Sequence, residues 1–239
     1  MFLVRRKNLP EIIQNNLRIL NSLNLKAPLM ETDFIVFDTE ATGFNVKKGD
    51  RLVSLSALRL REGRIDLADA FHALIDPNRS IPNQAAIIHG ILPRMVIGKP
   101  TLGEILPSFL DYIGGSILVA HHAWLDMNFL NREMNRLYGF PIQNLVLDTV
   151  ILEQALSLKK TPSDRKPTKK MDDSLIALAN RYDVPMDERH SSFGDALVTA
   201  QIFQHMIKQA QRMGIVCLKD LLRLAVRSLV LIEKEVAGS

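Results

Sequence analysis

The sequence predicts a mixed α/β fold in which one five-stranded sheet is covered by helices. Three apolar, strand-like segments follow one another early in the chain with short connections, which is typical of an antiparallel meander. Two later strand-like segments are each followed by a helical segment, which is typical of parallel pairing. A hydrophobic fraction of 47% with 23% charged residues agrees, since it is ordinary for a globular domain with a core.

The strands are indicated by short apolar runs, of which the first is Phe34 to Asp38, and Glu62-Gly63 forms the turn between the second and the third. Helices are indicated where apolar residues recur every three or four positions. The predicted strands cover residues 34–38, 52–60, 65–74, 116–120 and 145–148. The predicted helices of the same region cover residues 102–110, 123–138, 149–158, 172–182 and 193–209.

Helical extensions are predicted at both ends of the chain. Asn8 and Pro10 indicate a helix start, with Asn8 as its cap, and apolar residues at helical spacing follow until Pro28. The segment from Leu218 to Val236 has helical apolar spacing as well. We therefore divide the chain into an N-terminal helical arm, a central domain and a C-terminal helical tail, at residues 1–30, 31–210 and 211–239.

Cysteine content and hydropathy predict a cytoplasmic protein. The single cysteine, Cys217, can form neither an internal disulfide nor a cysteine-based metal site, as expected in a reducing compartment. No apolar run reaches the roughly 18 residues of a transmembrane helix. The first residues place their charges after the apolar ones, which is the wrong order for a secretory signal.

The net charge of +4 agrees with a polyanionic partner. Part of this excess lies in residues 159–170, which hold six cations, two prolines and one acid. Proline and this charge density favour a loop, which is either a solvated linker or a flap that contacts phosphates.

Two carboxylates stand at the end of the first predicted strand, in Asp38-Thr39-Glu40. Side chains at positions i and i+2 of a strand point to the same face, so Asp38 and Glu40 lie side by side. Carboxylates this close repel each other unless a cation neutralises them, and hard ions such as Mg²⁺ or Mn²⁺ prefer oxygen ligands. The pattern is common, however, and by itself also fits two solvated acids.

A third acid, Asp126, lies in the first turn of the helix predicted after the fourth strand. Acids favour helix N-termini through the helix dipole, so this position alone does not indicate a metal ligand. The adjacent His121 and His122 are weak candidates for zinc, because neighbouring residues seldom ligate one ion and no third soft ligand is near.

A fourth acid, Asp195, follows His190 by five residues. If Ser192 caps the last long helix, Asp195 takes the third helical position and completes a Ser-x-x-Asp capping pattern. The near-neutral pKa of a histidine suits His190 to act as a general base, although a lone histidine is more often a surface residue.

Taken together and in this order, the motifs resemble those of the DEDDh (DnaQ-like) exonuclease family, which includes the proofreading epsilon subunit of bacterial DNA polymerase III. The segment Asp38-Thr-Glu-Ala-Thr-Gly43 is similar to the family's Asp-x-Glu-x-Thr-Gly. Residues 121–130 resemble its His-Asn-Ala-x-Phe-Asp-x-x-Phe-Leu, and residues 190–195 have its His-to-Asp spacing. The resemblance covers about residues 33–210, and secondary signatures match at His89-Gly90-Ile91 and Leu147-Asp148-Thr149.

The resemblance has departures that spare the carboxylates. His122 stands where the family has asparagine, Leu125 where it has phenylalanine, and Ala41 where it often has threonine. These positions affect the expected contacts with substrate and leave the metal ligands in place.

The resemblance implies a ribonuclease H-like fold and a two-metal 3′→5′ exonuclease that releases nucleoside 5′-monophosphates. It makes Asp38, Glu40, Asp126 and Asp195 the ligands of two Mg²⁺ or Mn²⁺ ions, and His190 the base that takes a proton from the attacking water. The expected substrate is nucleic acid with a free 3′ end, with single-stranded or frayed DNA favoured. The expected substrate-binding residues are Thr42, Gly43, Phe44 and His122.

Several alternatives stay open at this point. Phe44 either stacks on a base or belongs to the core, Gly43 either approaches the nucleotide or only permits a turn, and His122 either contacts a phosphate or caps its helix. RNA is an alternative substrate, because only contacts to the 2′-hydroxyl distinguish it from DNA. The helical arms are candidates for contact with a polymerase, as in a non-catalytic adaptor, or with a second copy of the chain.

Overall fold

The computed structural model describes residues 10–158, 172–186 and 191–226. One five-stranded sheet with antiparallel and parallel pairs lies at its centre, which confirms the predicted fold class. The strands are β1 Phe34–Ala41, β2 Leu52–Arg61, β3 Arg64–Leu74, β4 Ile117–Ala120 and β5 Val146–Asp148. Their order across the sheet is β3-β2-β1-β4-β5, so the meander β1-β2-β3 fills one half and the parallel strands fill the other.

The strand register already orients the acidic end of β1. β1 pairs antiparallel with β2, where Asp38 lies opposite Ser56 and Glu40 lies opposite Ser54. On its other side β1 pairs in parallel with β4, which pairs in parallel with β5. The carboxyl ends of β1, β4 and β5 therefore share one edge of the sheet, where ligands of such sheets tend to bind.

Eight helices with defined ends surround the sheet in the described part of the chain. They are α1 Glu11–Asn21, α2 Asn83–His89, α3 Pro93–Val96, α4 Leu102–Ile113, α5 Ala123–Tyr138, α6 Thr149–Leu158, α7 Leu175–Arg181 and α8 Ser192–Arg212. Residues 218–226 are helical as well. No helix in the described ranges is long and apolar enough to cross a membrane.

The strand β1 is buried on both faces by two helical layers. Phe34 belongs to the core that includes α6, α7 and α8, and its ring meets Phe203 of α8 edge-on at 4.9 Å. Phe37 belongs to the opposite core with α4 and α5, and its ring lies 6.3 Å from Phe109 of α4. Because alternate residues of a strand face opposite sides, an apolar run such as Phe34-Ile-Val-Phe37 suits this central position. The strand that carries Asp38 is thus held rigidly.

Both predicted helical extensions contribute to these cores. Ile13 of α1 is buried in the layer of α4, and the Asn16 amide of α1 donates a hydrogen bond to the Gly114 carbonyl. At the other end, Leu218 and Leu221 are buried in the layer of α8. Their burial joins both ends to the sheet, while the division at residues 30 and 211 stays a prediction. Asn8, the basic stretch 159–170 and residues 227–239 lie outside the described residues.

The helices and strands differ from the predicted ones mainly at their ends and in two short additions. The fifth strand begins at Val146 rather than at Leu145, α7 begins at Leu175 because Ser174 caps it, and α8 extends to Arg212. The helices α2 and α3 were not predicted, since each is too short to show a helical apolar period. They lie between the meander and α4.

Candidate active site

Three of the predicted acidic residues converge at the carboxyl end of β1. One carboxylate oxygen from each of Asp38, Glu40 and Asp195 lies within 4.8 Å of the other two. Asp38 and Glu40 share a face of β1, and the first turn of α8 brings Asp195 over that face. This acidic cluster is the one group of three potential metal ligands among the described residues.

The acidic cluster is electrostatically unfavourable without a counter-charge. Burial raises the pKa of Asp38 well above its usual range, and the charges of Asp126, Glu40 and Asp195 raise it further. Burial, together with the charges of Asp195 and Asp126, raises the pKa of Glu40 to about 8. Such shifts are typical of carboxylates that bind a cation or take part in catalysis.

Asp126, the fourth predicted ligand, reaches the same edge from the opposite layer. It is buried on α5, and burial raises its pKa to about 7 although a hydrogen bond from the Thr39 hydroxyl lowers it. The Thr39 hydroxyl donates to the Asp126 carboxylate at 2.5 Å. Thr39 faces away from Asp38 and Glu40, so this bond ties Asp126 to the strand segment that carries the cluster. The role of Thr39 was missed because a residue between two acids has no signal of its own.

Asp148, which was noted only as a match to a secondary signature, organises the helix starts beside Asp126. Its carboxylate accepts hydrogen bonds from the Ala123 amide and the Val150 amide, both at 2.9 Å, at the beginnings of α5 and α6. Burial raises the pKa of Asp148, and its charge in turn raises the pKa of Asp126. Its position at a strand end directly before a helix is the signal from which this capping role could have been predicted.

His122 takes the N-cap position of α5, as the capping alternative expects. Its backbone there is left-handed, φ 53°, but its side chain makes no capping hydrogen bond. Asp148 binds the first amide instead, and the His122 ring packs against His121 with centroids 4.5 Å apart. Within the described residues neither histidine belongs to a group of three potential metal ligands.

The start of α8 also differs from the prediction. The N-cap is Ser191, whose hydroxyl accepts from the Gly194 amide at 3.1 Å, rather than Ser192. Ser192 is buried, and its hydroxyl bonds to Ser54 at 2.8 Å and to Ser56 at 2.7 Å. The side chain of either serine could cap the helix. Because the two β2 hydroxyls beneath the helix bind Ser192, Ser191 is the residue that caps it. The first turn of α8 is thereby attached to the strand residues that face Asp38 and Glu40.

His190, the predicted general base, lies outside the described residues and stays a prediction.

The loop after β1 contains three of the predicted substrate-binding residues, and the structure gives them different surroundings. Thr42 is buried, and its hydroxyl donates to Asp50 at 3.1 Å and accepts from the Arg51 amide at 3.2 Å. A Cβ atom on Gly43 would lie 2.5 Å from an oxygen of Asp50, so this close approach requires glycine. Phe44 is 75% exposed and therefore free to meet a base, which excludes the alternative that it belongs to the core. Thr42 and Gly43 shape the loop that presents Phe44.

The chemistry of the acidic cluster fits hard divalent cations. Its donors are carboxylate oxygens, which Mg²⁺ and Mn²⁺ prefer, and the one cysteine lies elsewhere, near Pro28. Four carboxylates that repel one another in a partly buried site also require positive charge to be ionised together. The acidic cluster with Asp126 beside it is thus a suitable site for divalent metal.

We expect Ser192→Ala to lower the free energy of unfolding by about 1–3 kcal/mol, because it leaves two buried serine hydroxyls without their shared partner. Urea denaturation measures this change. The control Ser22→Ala removes an exposed hydroxyl that bonds to the Ile19 carbonyl, and its effect should stay within about 0.5 kcal/mol. Equal effects of the two substitutions would contradict an anchoring role of Ser192.

Comparison with protein families and relatives agrees with this geometry. Residues 35–203 match the family RNase_T, described as Exonuclease. The DNA polymerase III subunit epsilon of Aquifex aeolicus is 31% identical over 188 residues, which are 79% of this chain and 87% of that protein. A DNA polymerase III subunit epsilon-like protein of Rhodobacter capsulatus is 33% identical over 192 residues, 80% of this chain. The chain spans about a quarter of that protein, since the match covers 26% of it.

Among solved structures, Exonuclease X in complex with 5′ overhanging duplex DNA superposes with a TM-score of 0.60 at 21% identity. The superposition covers 80% of this chain and 99% of that chain, and it shows a common fold. The matched family region contains β1 from its second residue, β2 to β5, and all four acids of the site. The chain therefore belongs to the exonuclease family, as its DEDDh-like motifs predict.

Proposed function

We propose that this chain is a metal-dependent 3′→5′ exonuclease that hydrolyses the terminal phosphodiester bond of DNA and releases nucleoside 5′-monophosphates. The observation that carries the proposal is the convergence of Asp38, Glu40 and Asp195, with an oxygen of each within 4.8 Å of the others. The named relatives, which are subunits of DNA polymerase III or similar to them, favour DNA over RNA.

The residues of the chain have separate roles in this proposal. Asp38, Glu40, Asp126 and Asp195 would hold two Mg²⁺ or Mn²⁺ ions. A pair of divalent cations supplies Lewis-acid stabilisation of the attacking and leaving oxygens of a phosphodiester. His190 would accept a proton from the attacking water, as its ordinary pKa near neutrality allows. Phe44 would stack on a terminal base, a contact that tolerates any sequence.

The test is a Mg²⁺-dependent digestion of single-stranded DNA that carries a label at its 5′ end. Shortening from the 3′ end gives a ladder of labelled products, and chromatography of the released nucleotides shows whether the phosphate is on the 5′ position. Circular single-stranded DNA is the matched control, because it has the same chemistry and no 3′ end. Cleavage of the circle, or no metal-dependent shortening of the linear strand, would overturn the proposal.

Two further substrates in the same assay address the substrate class and the biological role. A duplex with a mismatched 3′ end should be shortened faster than a matched one if the enzyme proofreads or repairs, since its terminus is already unpaired. An RNA strand of the same sequence should react more slowly than DNA, and faster digestion of RNA would assign the chain to the exoribonucleases. Contact of the helical arms with a polymerase or with a second copy stays a prediction, which co-purification and light scattering test.

A further inference from the structure

A group of arginines lies beside the loop that follows β1. We define the arginine cluster as Arg51, Arg79, Arg132 and Arg136, which come from the start of β2, the segment after β3, and α5. Three of the guanidinium groups are held on carbonyls of one loop. Arg51 donates to Gly49 and Asp50 at 3.3 Å, Arg79 donates to Gly49 at 2.6 Å, and Arg132 donates to Val46. Three separate parts of the chain thus deliver positive charge to one place.

The acids beside the arginine cluster are too few to neutralise its positive charge. Asp50 pairs with Arg79 at 3.2 Å but also accepts hydrogen bonds from Thr42 and from the Asn45 amide. Glu133 pairs with Arg136 within α5. Four guanidinium groups therefore face two carboxylates, and the exposed Lys47 and Lys48 of the same loop add to the excess.

The cluster is accessible and internally repulsive. Arg51 and Arg132 are exposed, and the side chain of Arg136 is 63% exposed. Burial lowers the pKa of Arg51, and the positive charges of Arg132, Arg79 and Arg136 lower it further. The negative charge of Glu133 acts in the opposite direction. Guanidinium groups anchored on carbonyls keep further N–H groups directed to solvent, and their planar shape suits phosphate oxygens. A bound polyanion would neutralise the repulsion among these guanidinium groups.

The arginine cluster lies close to the acidic cluster. The Thr42 amide donates to the Arg51 carbonyl at 2.8 Å, and Thr42 is two residues after Glu40. At about 3.3 Å for each extended residue, Thr42, whose backbone bonds to that of Arg51, lies roughly 7 Å from Glu40 along the chain. The exposed Phe44 belongs to the same loop, so an aromatic ring and a positively charged surface adjoin the acidic cluster. This combination is typical of surfaces that bind single strands.

We propose that the arginine cluster binds the phosphates of the nucleic acid strand a few nucleotides upstream of its 3′ end. The inference rests on the proposed function, because that function places the 3′ terminus at the acidic cluster. It assigns the side of the molecule along which the strand leaves the site, past the loop after β1 and along α5. It also makes substrate affinity depend on strand length and on salt, since each neutralised phosphate releases bound counterions.

The test compares Arg51→Gln/Arg136→Gln with the control pair Arg61→Gln/Arg64→Gln. Each pair removes two positive charges, and the control residues are exposed at the far end of β2 and the start of β3. Fluorescence anisotropy of a labelled single-stranded oligodeoxynucleotide in EDTA measures affinity without hydrolysis. The slope of log affinity against log salt should become less steep by about 1.4 in the cluster variant, or 0.7 for each lost phosphate contact, and should not change in the control.

A second variant and a second substrate keep the result interpretable. Arg51→Lys/Arg136→Lys retains both charges and should keep the slope of the parent protein. With metal present, the rate on the oligonucleotide should fall more than the rate on thymidine 5′-(4-nitrophenyl phosphate), whose single phosphate occupies only the acidic cluster. An unchanged slope in the Gln pair, an equal change in the control pair, or no binding by the parent protein would overturn the inference. If the parent protein binds the oligonucleotide but hydrolyses neither substrate, the proposed function is wrong. The change in the salt slope still tests whether the arginine cluster binds the strand.

Discussion

Replacing Asp38 by asparagine should abolish hydrolysis of a 3′-terminal phosphodiester bond while the protein stays folded. Asp38 is the acid on which the charges of the other three, Asp126, Glu40 and Asp195, all act. Asparagine has nearly the same shape but lacks the negative charge with which a carboxylate would hold a divalent cation. Metal ions contribute several kcal/mol to phosphoryl transition states, and about 1.4 kcal/mol corresponds to tenfold in rate. We therefore expect the rate to fall by at least about 10³.

The control for this substitution lies at the other end of the same strand. Asp33 directly precedes β1 and forms an exposed ion pair with Arg61 at 2.6 Å. Asp33→Asn makes the same chemical change away from the acidic cluster, and exposed pairs of this kind contribute at most about 1 kcal/mol to stability. Its activity should match that of the parent protein. Substantial activity in Asp38→Asn, or an equal loss in Asp33→Asn, would contradict the assigned site.

The metal-free protein should become less stable as the pH rises from about 7 to about 8.5. Burial raises the pKa of Glu40 from its ordinary value to about 8, and it also raises the pKa of Asp38. The unfolded chain has already released both protons near pH 4, whereas the folded chain keeps the Glu40 proton until about pH 8 and releases the Asp38 proton well above pH 4. The folded state therefore binds more protons in this window, and the free energy of unfolding falls with rising pH.

The window is chosen so that histidines do not interfere. Burial lowers the pKa of His72, His89 and His121. For His121 the nearby charge of His122 lowers the pKa further, to about 4. Each of these histidines binds its proton less readily in the folded than in the unfolded chain, so stability rises with pH below about pH 6.5. Above pH 7 they are neutral in both states, and the carboxyl groups of the site determine the slope.

Thermal unfolding in EDTA at the two pH values measures this effect. Each retained proton contributes up to about 1.4 kcal/mol for each pH unit, less for the partly exposed Glu40. For a domain of this size Tm changes by about 2–4 °C for each kcal/mol, so a fall of several degrees is expected. Divalent metal at roughly 100 times its Kd should restore about 2.7 kcal/mol. Asp38→Asn should show a shallower dependence, and a Tm that rises between pH 7 and pH 8.5 in EDTA would contradict the electrostatic account.

Much of the fold was predictable because local patterns and tertiary burial agree in it. Phe34-Ile-Val-Phe37 reads as a buried strand and is one, and Ala123 to Tyr138 shows the helical period of α5. The short helices α2 and α3 were missed because four to seven residues cannot display a period of 3.6. The positions of the four acids at a strand end or in the first turn of a helix were also predictable, since those locations follow from local structure.

What the sequence by itself determined is the order and local setting of the chemical groups, including Asp38 and Glu40 on one face of a strand. Which groups meet was decided only by the tertiary structure. Asp195 reaches Asp38 because α8 packs over that face, Ser192 is buried on β2 while Ser191 caps the helix, and the arginines converge on one loop from distant segments. The physical reason is that strand and helix periods depend on neighbours in the chain. Hydrogen-bond partners, burial and electrostatic repulsion depend on neighbours in space.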